Sequence, residues 1–150
     1  MTTRTWTVIG LIVAAIPILF AYNLYVFLYE SIPEMYCAEW VAGTIIHHMK
    51  TNDGGWPRDW DELRRTYADR TKDKGGPWSF EDLHRWVDVD FSADPGVLAQ
   101  ATLPEHGPPF RVVTLKSGRR HYWEGAEPNT MIWRYLQKPE SIPTEEESTH

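Results

Sequence analysis

Three aspartates, Asp88, Asp90 and Asp94, lie close together in the stretch DVDFSAD and are the side chains best suited by type to bind a metal ion. Calcium prefers carboxylate oxygens, but an EF-hand loop also requires glycine at its sixth position and glutamate at its twelfth. This sequence has Ala93 and Ala99 there. Alternate residues on a strand are also about 6.6–7 Å apart, which is far for ligands of one ion. We therefore interpret the aspartates as a solvated strand face, with a calcium site as the alternative.

The histidines do not have the spacing of a metal site. His47 and His48 are adjacent, so on a helix their side chains diverge by about 100° and cannot both reach one ion. His84, His106 and His121 are scattered along the chain, without an H-x-x-x-H or H-E-x-x-H pattern. The sequence predicts no zinc site and no cofactor.

A lone cysteine and a pair of glutamates are the remaining candidates for catalysis. Cys37 is the single cysteine of the sequence, so it can form no internal disulfide, and we predict a small buried apolar residue. Glu124 and Glu127 could act as an acid and a base, but carboxylates near the start of a helix are also favoured electrostatically. No G-x-S-x-G motif is present. We predict no catalytic residues and a protein that is not an enzyme.

The most basic stretch is KSGRRH, which contains Lys116, Arg119, Arg120 and His121. Such a cluster could bind an anionic lipid headgroup, a polysaccharide or an acidic partner. Basic residues also keep an exposed hairpin soluble and protect its edges, which is the interpretation that we favour. The chain as a whole has a net charge of −6, and this balance argues against a nucleic-acid partner.

The stretch from Trp6 to Leu28 has 23 residues and no charge, and about 20 helical residues suffice to cross a bilayer. It is too long for a signal peptide and is followed by no A-x-A cleavage site. Arg4 precedes the stretch and Glu30 follows it, so the positive-inside rule places the N-terminus in the cytoplasm. We predict a cytoplasmic segment 1–5, a membrane anchor 6–28, an extracytoplasmic α+β domain 31–137 and a disordered acidic tail 138–150. The bilayer is then one partner.

The domain is predicted to begin with an amphipathic helix over Ser31–Lys50, opened by a capping box of Ser31 and Glu34. Whether this helix continues from the anchor or breaks at the following proline stays open. The next stretch, NDGGWPRDWDEL, predicts a corner: its glycines end one helix, and Asp59 with Glu62 opens another. The two tryptophans of the corner are expected to pack rather than to form a ligand platform.

Strands are predicted after this corner. The stretch WVDVDF (86–91) alternates strictly between apolar and polar residues, which is typical of a half-buried strand. VLAQATL (97–103) suits a short strand or a helical turn, and residues 110–125 predict a hairpin that turns at Ser117–Gly118. EPNTMIWRYLQK then predicts a short helix. The fold class is α+β, with the amphipathic helix packed on three or four antiparallel strands.

This arrangement resembles the pseudopilins and pilin-like proteins of bacteria, over about residues 6–124. The family pattern of a glycine, an aromatic residue, a proline and a helix with leucine matches Gly55, Trp56, Pro57 and Leu63. The resemblance implies a pilin-like fold in the bacterial inner membrane. The processing site and the helix glutamate of the family are absent, since Gly10 is followed by leucine and the anchor carries no acid. We therefore predict an anchored relative that does not build a filament.

Three classes of function follow. The preferred one is a pilin-like structural or interaction module with a protein partner in the cell envelope. The second is an accessory subunit of a membrane complex, for which the small-xxx-small spacing of Gly10 and Ala14 provides a docking face in the anchor. The third is a hydrolase or a domain that binds a small ligand or calcium at the tryptophan-rich loops, with a pocket at Trp78 and His84.

Overall fold

The computed structural model describes residues 3–73, 75–120 and 126–138. The chain divides into two compact units, Met1–Pro33 and Glu34–His150.

The first unit is helical. Helix α1 spans Thr3–Val26, and a π-helical turn follows at Phe27–Ser31. The Asn23 side chain bonds back to its own helix, because its Nδ2 donates to the carbonyl oxygen of Leu19 at 2.7 Å. An 18-residue window near the N-terminus is apolar and long enough to cross a membrane, and none of it is buried. This agrees with one span in the described chain.

Helix α2 spans Ile32–Thr51, close to the predicted bounds, but its predicted capping box is wrong. Ser31 belongs to the π-helical turn, and the N–H of Ile32 donates to the carbonyl oxygen of Phe27. Helical hydrogen bonding is therefore already established before α2, so its first N–H groups need no serine cap. The Glu34 side chain is instead completely buried. A π-helical turn rather than a break precedes Pro33, which has no N–H to donate.

The predicted corner after α2 is confirmed. Asp53 and Gly54 have φ angles of 50° and 79°, and the Gly54 N–H donates to the carbonyl oxygen of Met49 at 2.8 Å, which ends α2. Helix α3 (Trp60–Thr71) begins at the cap Asp59, whose side chain accepts from the Glu62 N–H at 2.8 Å. Turn residues thus set the corner locally.

Helix α4 (Phe80–Trp86) leads directly into strand β1 (Val87–Val89), which pairs antiparallel with β2 (Val113–Leu115). Val87 lies opposite Leu115, and Val89 lies opposite Val113. In both strands the outer residues are buried and the middle one is exposed, which for β1 is the alternation that the sequence predicted. The described residues therefore form a mostly helical fold with a two-stranded antiparallel sheet.

The expectation of three or four strands is not met within the described residues. The stretch 97–103 supplies no strand, because α5 occupies Pro95–Ala99. The turn at Ser117–Gly118 is present, with the Gly118 N–H donating to Leu115 O at 2.9 Å. The second arm of the predicted hairpin largely lies outside the described residues.

An asparagine side chain closes the edge of β2. Helix α6 spans Pro128–Gln137 and carries Asn129, which is only 3% exposed. Its Oδ1 accepts from the N–H groups of Val112 and Val113, and its Nδ2 donates to Val113 O, each at 2.9 Å. A further strand cannot pair with these backbone groups, because the asparagine amide already satisfies them.

The core of the second unit lies among α2, the sheet and the later helices. Its most deeply buried apolar side chains are Met35, Cys37, Ala38, Ala42, Ile45, Met49, Leu63, Leu83, Val87 and Ile132. Tryptophans pack at its margin, and Trp133 of α6 donates its Nε1–H to Ala101 O at 2.8 Å. The predicted tail falls almost entirely outside the described residues.

Candidate functional site

A polar cleft lies between the C-terminal end of α2 and the helix α3. It has a volume of about 230 Å³. Its lining is formed by two histidines, two carboxylates, an arginine and three neutral polar residues: His47, His48, Thr51, Asn52, Glu62, Arg65, Thr66 and Asp69. The corner that joins the two helices brings these residues together.

The two histidines of the cleft bind different partners. His48 is 4% exposed, and its Nδ1 lies 2.9 Å from the Thr66 hydroxyl, which itself donates to Glu62 O at 3.1 Å. Asn52 Nδ2 lies 3.4 Å from the same ring nitrogen, so Nδ1 faces both a hydroxyl and an amide. His47 Nε2 instead lies 3.4 Å from Asp69 Oδ2. The predicted divergence of the two rings agrees with these contacts.

Burial lowers the pKa of His48, and the positive charges of Arg58, Arg65 and His47 act in the same direction, whereas Glu62 opposes them. A neutral imidazole is therefore favoured in the folded protein. Within the described ranges, no group of three or more histidine, cysteine, aspartate or glutamate side chains is placed to hold a metal ion. The cleft is thus a hydrogen-bonded junction between two helices.

The three aspartates considered for calcium make separate local contacts. Asp88 Oδ1 accepts from the Val89 N–H at 3.2 Å, and Asp94 Oδ1 accepts from the Gly96 N–H at 2.8 Å as the cap of α5. Asp90 Oδ1 accepts from the Ser92 N–H and hydroxyl, which lowers the pKa of this carboxyl. Each aspartate stabilises its own turn or strand end.

The predicted basic residues lie at the turn after β2. Lys116 is exposed, and its Nζ donates to His84 O at 2.6 Å. Arg119 is half-buried and pairs with Glu34, with 3.5 Å between Nη1 and Oε2. Arg120 is exposed, whereas His121 lies outside the described residues.

The sequence predicted a different role for Glu34, as part of the capping box of α2. Its Oε1 accepts from the Ser117 N–H at 3.2 Å, in addition to the Arg119 pair. A buried carboxylate is costly unless it is paired and hydrogen-bonded, so these contacts fix the turn on α2. The sequence did contain one signal for this role, an acidic residue on the mostly apolar face of α2. The same residue also suited a helix cap, so the signal was ambiguous.

The tryptophan-rich loops form a packed aromatic cluster. The Trp60 ring lies edge-on to Phe80 and Phe91, with centroids 5.9 and 5.5 Å away, and its centroid is 4.6 Å from that of the His84 ring. Trp78 contributes its carbonyl oxygen to the Tyr67 hydroxyl at 2.5 Å. Such edge-to-face contacts are typical of structural aromatic clusters.

The candidate catalytic residues also have structural positions. Cys37 is fully buried, and burial, together with the charges of Asp82 and Glu34, raises the pKa of its thiol to about 12. A thiol of this kind is a poor nucleophile, because the thiolate is the reactive form. Glu127 caps α6 by accepting from the Thr130 N–H at 2.6 Å, and Glu124 lies outside the described residues.

Comparisons with protein-family models, with curated proteins and with solved structures gave no match for this chain.

Proposed function

We propose that the chain is a single-pass inner-membrane protein, with a pilin-like extracytoplasmic head that is a non-catalytic structural or interaction module. The observation that carries this proposal is the exposure of apolar side chains along α1. Ile16, Ile18 and Phe20 are 60%, 68% and 69% exposed. A continuous apolar helix surface of this size is unfavourable in water and is favourable in lipid.

The tyrosines near the end of α1 support the same proposal. Tyr22, Tyr25 and Tyr29 are exposed, and the last two stack with ring centroids 4.9 Å apart. Tyrosine is enriched at membrane–water interfaces, because its ring is apolar and its hydroxyl is polar. Arg4 before the helix and Glu30 after it favour a cytoplasmic N-terminus and an extracytoplasmic head.

The non-catalytic part of the proposal is supported by how the reactive side chains of the head are used. The Cys37 thiol is buried and protonated, and the Glu34 carboxylate is engaged by the turn. His48 bonds to Thr66 across the helix junction. These contacts stabilise the head and leave its exposed surface for binding another molecule.

Membrane extraction tests the anchor. The full-length chain is expected to sediment with membranes after alkaline washing and to require detergent for release. In the double variant Ile16→Asp and Phe20→Asp, two acids near the centre of the span cost about 5–7 kcal/mol of insertion free energy, so the washed membranes should lose the protein. The control Ile16→Leu with Phe20→Leu should behave as the parent. A parent chain that the alkaline wash releases would refute the anchor.

Orientation is tested by labelling a new surface cysteine with a membrane-impermeant maleimide. Lys72 is exposed at the end of α3, so Lys72→Cys should be labelled in spheroplasts without lysis. Buried Cys37 is the internal control for background. Labelling that requires lysis would place the head in the cytoplasm and contradict the proposal.

Affinity capture in mild detergent tests which part of the chain binds a protein partner. We would compare the parent with a variant whose span 6–28 is replaced by polyleucine, which keeps hydrophobicity and removes side-chain specificity. A stoichiometric partner retained by both chains supports a head that is the interaction module. A partner lost only with polyleucine would assign the chain to a membrane complex as an accessory subunit.

A further inference from the structure

The basic turn after β2, formed by Lys116, Arg119 and Arg120, is bound to Glu34, which follows the predicted anchor closely in sequence. Glu34 accepts from the Ser117 N–H at 3.2 Å and pairs with Arg119 at 3.5 Å. Glu34 is only six residues after Leu28, the last residue of the predicted anchor 6–28. Six residues extend at most about 21 Å, whatever path the chain takes. Any path of the chain therefore keeps Glu34, to which the turn is bound, within about 21 Å of the end of the predicted anchor.

Three exposed cations lie around this turn. Lys116 and Arg120 are exposed, and so is Arg85 of α4. The Lys116 N–H donates to Trp86 O at 2.9 Å, and its Nζ donates to His84 O at 2.6 Å, which places Lys116 beside the end of α4 that carries Arg85. Glu34 offsets the charge of Arg119, and Arg85, whose guanidinium lies 5.0 Å from the centroid of the Trp86 ring, Lys116 and Arg120 are the exposed cations without an acidic partner among the described contacts.

Among the described residues, the carboxylates near this surface already accept hydrogen bonds or form ion pairs, and Asp88, whose Oδ1 accepts from the Val89 N–H, is an exposed acid beside the cations. Asp88 is the exposed residue of β1 and lies opposite Thr114, while Glu81 of α4 pairs with Arg64. The chain is otherwise acidic, with 21 acidic and 15 basic residues. An anionic surface repels most of such a head and attracts this patch, which favours one orientation.

We propose that Arg85, Lys116 and Arg120 bind the anionic phospholipid headgroups of the leaflet from which the head emerges. This inference rests on the proposed membrane anchor and adds a second, electrostatic contact to it. Basic residues next to a membrane span are attracted to anionic lipid over roughly one Debye length. The span fixes the protein in the bilayer, and the patch sets how the head lies on it.

Site-specific chemical protection in nanodiscs tests the proposal on the full-length chain. We would compare nanodiscs of phosphatidylcholine with nanodiscs containing a third phosphatidylglycerol and measure lysine acetylation by mass spectrometry. Lys116 should react about fivefold more slowly on the anionic discs, the factor that corresponds to about 1 kcal/mol per basic residue at the surface. Exposed Lys72, at the end of α3, should change little, and high salt should remove the difference at Lys116.

Matched charge reversals separate the patch from a general effect of charge. Arg120→Glu should abolish most of the protection of Lys116, because it places an acid in the patch. Lys72→Glu makes the same charge change at the end of α3 and should leave the protection intact. Equal Lys116 rates on both lipids, or equal protection of Lys116 and Lys72, would overturn the proposal. Copurification of the chain with the discs is measured separately, so a failed anchor is recognised as such.

Discussion

The contact between Asn129 and the edge of β2 gives the sharpest stability prediction. In Asn129→Leu the side chain keeps a similar size but can no longer accept from the N–H groups of Val112 and Val113 or donate to Val113 O. Asn129 is 3% exposed, so these three backbone groups would be buried without partners. Each such group costs about 1–3 kcal/mol, and at the lower limit the sum is about 3 kcal/mol.

Denaturant unfolding of the full chain in detergent, followed by tryptophan fluorescence, measures this loss of unfolding free energy. Hydrogen exchange identifies its cause. The Val112 and Val113 amides should exchange faster in Asn129→Leu, but should stay protected in Asn129→Asp, whose carboxylate can still accept from both. Thr114→Ala changes an exposed residue of the same strand and should cost under about 0.5 kcal/mol. A loss below about 1 kcal/mol in Asn129→Leu, or equal exchange in both variants, would refute the reasoning.

Three further predictions concern titratable groups. The pKa of His48 is lowered from 6.5 by burial, so the unfolded chain binds the proton more readily than the folded chain. The unfolding free energy should therefore fall as the pH drops below 6.5. His48→Gln should show a shallower fall, and an equally steep fall would contradict the role of His48 in this pH dependence. The pKa of the Cys37 thiol is raised from 9.0 to about 12, so the fraction of reactive thiolate is about a thousandfold lower in the native chain than in urea. The reaction with maleimide should be slower by the same factor, whereas similar rates would show that the thiol is accessible. Arg119→Gln should lower the free energy of unfolding by about 3 kcal/mol, because it leaves the buried Glu34 carboxylate without its cation. Adding Glu34→Gln should recover part of this loss. A double variant less stable than Arg119→Gln would argue against a stabilising pair of Glu34 and Arg119.

Features governed by neighbouring residues could be predicted from the sequence. The uncharged run from Trp6 to Leu28 predicted a long apolar helix that could cross a membrane, because the length and polarity of a helix decide whether lipid can surround it. The corner between α2 and α3 followed from its glycines and from Asp59, whose conformational preferences and cap are local. The alternation in 86–91 likewise predicted the buried and exposed sides of β1. These predictions needed no knowledge of the tertiary fold.

The remaining features depend on residues that are distant in sequence. Glu34 suited a helix cap locally, yet its carboxylate binds Ser117 and Arg119, which are 83 and 85 residues away. Asn129 takes the place of a strand at the edge of β2, so the alternation within a strand could not reveal how many strands would pair. A polar side chain has many partners of suitable chemistry along the chain, and only the tertiary fold selects the one within hydrogen-bonding distance. The sequence alone therefore determined the long apolar helix, the corner and the faces of β1, while the fold decided which buried polar groups are paired and that the basic turn is bound to Glu34.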